Sequence, residues 1–86
     1  MSRQAFGAAL REQRKIRNLS QEALAFESGL DRTYISLIEL GQRSPTLDTM
    51  QKIARALEIE ISVLVLRMEV IQQNQNEQAR DEGGAR

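Results

Sequence analysis

Neither cysteine nor histidine occurs in this 86-residue sequence. Disulfide frameworks, zinc fingers, thiolate nucleophiles and imidazole bases are therefore excluded. No uncharged apolar run reaches the roughly 18–20 residues that a membrane span needs. The opening MSRQAFGAAL has no signal-peptide apolar segment, so a soluble cytoplasmic chain without membrane contact is expected. Serines, lysines and carboxylates are present, but no pair stands at a nucleophile–base spacing, and no Gly-rich loop cradles a phosphate. An enzyme is not expected, nor is a cofactor, a metal or a small-molecule ligand. Net charge is also missing, since 12 Lys+Arg stand against 12 Asp+Glu.

That balance hides an asymmetry. Residues 1–57 carry nine basic and six acidic side chains, whereas residues 58–86 carry three basic and six acidic ones. A basic body with an acidic end suits a nucleic-acid binder whose other end serves another purpose. The length allows one domain, and cores of this size are marginal alone, so a partner subunit is a natural stabiliser.

With a single proline, two phenylalanines and one tyrosine, the composition favours helix. From Gln4 to Arg17, Phe6, Ala9, Leu10 and Ile16 fit one helical stripe. Ser20 is a good N-cap for a second helix through Ser28, with Glu22 in its first turn and Gly29 as its left-handed C-cap. Asp31 caps a third helix that ends near Leu40. Two short helices joined across Gly29 and Leu30 have the helix-turn-helix spacing. Residues 42–45 form a loop, and Thr46 caps a fourth helix that puts Leu47, Met50, Ile53, Ala54 and Leu57 on one face.

Residues 58–71 read two ways. Ile59, Ile61, Val63 and Val65 alternate as β-branched residues of a strand do. Ile61, Leu64, Val65, Met68 and Ile71 also recur at helical spacing, and a fifth helix is the favoured reading, with a swapped or paired strand as the alternative. Used as a helix facing its own domain, the segment leaves a second stripe of Val63, Leu66 and Val70 as a dimer face. The boundaries expected are a helix-turn-helix domain over 1–66, then a helix extension and a disordered polar tail over 67–86.

On the third helix, Arg32, Thr33, Ser36, Leu37 and Leu40 share one arc, while Ile35, Ile38 and Glu39 share the opposite one with Tyr34. The first arc faces outward. Arg donates in pairs to guanine O6 and N7, and Thr or Ser meets base edges, so the pattern suits a DNA major groove. As plain surface residues these side chains would only be solvated.

The segment from Phe6 to Leu64 resembles the Xre/Cro family of helix-turn-helix regulators, which includes phage repressors. The carrying residues are Leu19-Ser20-Gln21-Glu22 with Leu24-Ala25, Tyr34-Ile35-Ser36 with Ile38-Glu39 and Gly41, and Pro45 followed by Ile53-Ala54 and Ala56-Leu57. The run Leu30 to Ser36 looks like the recognition helix of restriction–modification controller proteins. The resemblance implies an all-α, five-helix, repressor-like fold and a transcriptional regulator that binds a palindromic operator on double-stranded DNA as a homodimer. It implies base contacts from Arg32, Thr33, Ser36 and Leu37, and phosphate contacts from Gln21, Tyr34 and Arg43. Arg14 and Glu39 match a family ion pair between helices one and three. Leu37 and Leu40 depart from the family, which is usually polar or basic there, often with Arg at the position of Leu40. Phe26 also falls where the family is usually polar. The alternative is a protein-interaction module, antitoxin- or adaptor-like, whose DNA binding is weak or secondary.

Overall fold

The computed structural model describes the backbone of residues 2–84 and the side chains of residues 2–78. Five helices follow in order: α1 (Arg3–Ile16), α2 (Gln21–Ser28), α3 (Arg32–Glu39), α4 (Leu47–Ala56) and α5 (Ile61–Gly84). No strand occurs among the described residues. The fold is therefore all-α, as expected.

Each of the first four helices starts where a side-chain oxygen satisfies an otherwise unpaired N–H. Ser2 accepts from the Ala5 amide, Ser20 from Ala23, Asp31 from Thr33 and Thr46 from Thr49. The Ser2 cap starts α1 at Arg3, one residue before the sequence reading, and Arg17 caps its end. Gly29 takes φ 71°, and the Leu30 amide bonds back to the Ala25 carbonyl at 2.9 Å. That left-handed residue turns the chain sharply between α2 and α3.

The core draws on all five helices. Phe6, Leu10, Leu24, Ile35, Ile38, Ile53, Leu57 and Leu64 are its largest fully buried side chains. Each contributes on the order of 1.5–3 kcal/mol by leaving water, so truncating any one removes a large part of a small domain's stability. Two apolar residues assigned to buried stripes stand in solvent instead: Ile16 is 63% exposed and Leu47 61%. Both sit at helix ends. Ile16 lies beyond Arg14, the last residue that α1 buries, and Leu47 lies before Met50, the first that α4 buries.

Residues 61–71 are helical, not extended. As a helix the segment lays Leu64 and Met68 into the core, with Ile61, Val65 and Ile71 packed at its margin. A lone strand would have no neighbour for its backbone groups. The other face carries Val63 half-buried, Leu66 60% exposed and Val70 42% exposed. Helix α5 runs unbroken past residue 66, where a helix extension ahead of a polar tail was expected, and is helix through Gly84. Its Gln, Glu, Arg and Ala content suits helix despite the lack of apolar side chains. Residues 85 and 86 lie outside the described residues. No helix among the described residues is long and apolar enough to cross a membrane.

Polar contacts fix α5 along α1. Arg67 donates from Nε to Glu12 Oε1 at 2.6 Å and from Nη2 to Oε2 at 3.0 Å. The Ser2 amide donates to Gln72 Oε1 at 3.2 Å. Hydrogen bonding from Arg67 holds the Glu12 carboxyl below its ordinary value of 4.5, with partial desolvation opposing it. A lowered folded-state value means that the pair stabilises the fold above the unfolded-state value and stops doing so as pH falls through the folded-state one. In thermal melts across pH, Glu12→Gln should therefore lower Tm at neutral pH, and the gap should close in acid below pH 4.5. A gap that is constant with pH would show that the carboxylate charge is not what stabilises.

Candidate nucleic-acid interface

Helix α3 turns two faces to two environments. Ile35 and Ile38 are fully buried on the inner side. Arg32 and Thr33 are exposed on the outer side, and Ser36 is half-buried beside them. Because Asp31 caps the Thr33 amide at 2.9 Å, Arg32 and Thr33 occupy the first turn, where the helix end is positive.

The outer face is held by a buried ionic node beneath it. Arg14 donates from Nε to Glu39 Oε2 at 2.6 Å and from Nη2 to Oε1 at 3.0 Å, a two-pronged contact. Its Nη1 donates to the Leu19 carbonyl at 2.7 Å. Gln21 Nε2 adds a fourth bond, to Glu39 Oε1 at 3.1 Å. The two charged side chains are 11% and 4% exposed. Glu39 hydrogen bonding raises the Arg14 guanidinium above its ordinary value, with desolvation opposing it. One carboxylate thus ties α1, the start of α2 and the end of α3 together. The Arg14–Glu39 pair implied by the family resemblance is present.

Gly7 lets α1 and α3 come this close. A Cβ there would stand 2.3 Å from the Ile38 carbonyl oxygen and 2.6 Å from that of Glu39. No side chain fits, so glycine is required by the approach of two backbones.

Above the node, Gln21, Arg32, Thr33 and Ser36 line one shallow depression. A second, lined by Arg11, Arg14, Gln21, Ser36, Glu39 and Leu40, adjoins it through Gln21 and Ser36. The structure thereby brings together four of the residues singled out from the sequence. Tyr34 and Arg43 form a second group: Tyr34 packs half-buried against the core, and the Arg43 guanidinium carbon lies 5.6 Å from its ring centroid. That is cation–π distance and joins α3 to the following loop. Leu37 is half-buried instead of fully outward, whereas Leu40 is 62% exposed. Val63, Leu66 and Val70 belong to α5 and are separate from both groups.

Three contributors were not foreseen. Gly7 gives no sequence signal of its close approach. The Gln21–Glu39 bond spans 18 residues and follows no helical spacing. Arg11 lies three residues before Arg14, so their shared face on α1 was the available signal.

The helix-turn-helix family profile matches residues 10–64. An uncharacterised HTH-type transcriptional regulator of Mycobacterium tuberculosis is 35% identical over 75 residues, which is 87% of this chain and 54% of that protein. The chain thus spans about half the length of that relative. Control protein C.BamHI of Bacillus amyloliquefaciens is 50% identical over 56 residues, covering 64% of this chain and 69% of that one. Among solved structures, the restriction-modification controller protein C.AhdI from Aeromonas hydrophila superposes with a TM-score of 0.71 at 50% identity, over 72% of this chain and 94% of that one.

Removing one partner of the node leaves the other charge buried. Glu39→Ala should cost about 2–4 kcal/mol and lower Tm by about 10 °C or more, whereas Glu39→Gln, which still accepts a hydrogen bond, should cost less. Equal, small losses in calorimetry would mean that the pair is solvated and does not organise α3.

Proposed function

The chain belongs to the helix-turn-helix family, and from that premise we propose that it is a DNA-binding transcriptional regulator acting as a homodimer on a palindromic operator. The carrying observation is the outward end of α3. Arg32 and Thr33 stand exposed there, beside Ser36 and Gln21, on a helix clamped from behind by the Arg14–Glu39 pair. A helix held in this way presents its outward side chains from a fixed place, which base reading needs, since ordering a mobile support costs entropy on binding.

The roles follow from chemistry. Arg32 donates in pairs to guanine O6 and N7, and Thr33 and Ser36 meet neighbouring base edges. Leu37 supplies apolar contact for a thymine methyl group. Gln21, at the start of α2, meets a phosphate with its free amide hydrogen and the helix N-terminus. Arg43 and Tyr34, already stacked, meet a further phosphate as a unit.

One such face covers few base pairs. Two copies related by a twofold axis present recognition helices about 34–36 Å apart, one turn of DNA. The stripe Val63, Leu66 and Val70 supports that pairing, because it leaves apolar side chains in water on a helix whose opposite face is already in the core. The names of C.BamHI and C.AhdI support a controller role of the same kind. Phe26, 86% exposed on α2, favours a second reading in which protein contact dominates and DNA binding is secondary.

Selection from a randomised duplex pool, with solution mass recorded, tests the proposal. An enriched inverted repeat bound by a dimer supports it; a folded dimer that enriches nothing moves the weight to protein contact. On the selected duplex, Arg32→Ala should cost about 1–3 kcal/mol and relax one position per half-site. Uniform weakening on every sequence would instead make Arg32 a phosphate contact. The pair Val63→Asp and Leu66→Asp should give monomers with unchanged helicity, and a surviving dimer would place the interface elsewhere.

A further inference from the structure

Arg11 sits exposed on α1, outside the helix-turn-helix itself. It lines the depression between α1 and the C-terminal half of α3, together with Gln21, Ser36 and Leu40. The other cation there, Arg14, has its donors committed to Glu39 and to the Leu19 carbonyl. Arg11 has no ion-pair partner among the described residues, where the pairs are Arg14–Glu39, Arg17–Glu58 and Arg67–Glu12.

The far end of α3 needs a cation if DNA is to lie along it. No basic residue occupies its last turn, and its C-cap is Leu40. The helix dipole leaves that end negative, so a phosphate arriving there meets unfavourable potential unless positive charge stands nearby. Arg32 is one full helix length away, at the opposite end. Arg11 is the uncommitted positive charge that borders the same depression as Leu40.

We infer that Arg11 is a DNA-phosphate contact, reaching from α1 the backbone that flanks the C-terminal end of α3. It supplies from a neighbouring helix the charge that Leu40 withholds. The contact positions the duplex without reading its sequence, because a guanidinium on a phosphate is indifferent to the base. The inference rests on the DNA-binding reading above.

The test uses the full chain and the duplex that the unsubstituted protein selects, alongside a random-sequence duplex. Affinity is measured across salt concentrations for the parent, Arg11→Ala, Arg11→Lys and, as control, Arg55→Ala, an exposed cation on α4 at a different depression. Each phosphate contact contributes about one unit to the slope of log affinity against log salt. Arg11→Ala should lose about one unit, weaken both duplexes alike and leave Tm unchanged, while Arg11→Lys and Arg55→Ala keep the parent slope. An unchanged slope in Arg11→Ala, or altered base preference, overturns the assignment while leaving the regulator reading intact. A parent protein with no salt-dependent DNA binding overturns both.

Discussion

Glu39 carries a charge on a side chain that is only 4% exposed, and the arrangement of the outer face of α3 depends on how that charge is met. Taking a carboxylate and a guanidinium out of water costs several kcal/mol each, so the pair is tolerable only with close geometry and further hydrogen bonds. The Arg14 fork, the Gln21 amide and the bond from Arg14 to Leu19 supply both. Apolar contacts alone would allow α3 to slide or rotate on its hydrophobic side. Three directional bonds to Glu39, with Gly7 pressed against the Ile38 and Glu39 carbonyls, restrict both motions. Arg32 and Thr33 therefore stand outward on a fixed support.

Helix α1 serves two tasks through two faces. Phe6 and Leu10 fill the core, while Arg14 and Arg11 border the region around α3. Helix α5 divides in the same way. Leu64 and Met68 close the domain, and Leu66 and Val70 remain in solvent on the other side. Since Arg67 fixes α5 to α1 and Arg14 fixes α1 to α3, a second copy docked on α5, as proposed, would be positioned relative to the proposed reading face through two charged contacts. Spacing between two reading faces is what a palindrome measures.

Much of this was legible in the sequence because local rules govern it. Ser20, Gly29, Asp31 and Thr46 mark helix ends through their own side chains or conformations, and the structure uses each as read. The two arcs of α3 follow from helical geometry alone. Residues 61–71 were ambiguous because β-branched side chains satisfied both periods, and packing on α1 and α4 decides between them. Ile16 and Leu47 were misplaced because periodicity does not show where a helix outruns its neighbours. The contacts of Gly7, Gln21 and Arg67 were out of reach, since each joins positions distant in the chain without a repeating pattern. Arg14 with Glu39 was legible only through family resemblance.

A double-mutant cycle in stability between Arg14 and Glu39 tests the central claim most directly. Replacing each with Met, singly and together, isolates their coupling from the loss of packing. The account predicts a coupling of about 1.5–3 kcal/mol, with the double variant losing less stability than the two single variants together. Additivity within about 0.5 kcal/mol would show that the pair does not hold α3, and the support for the reading face would have to be sought in the apolar core alone.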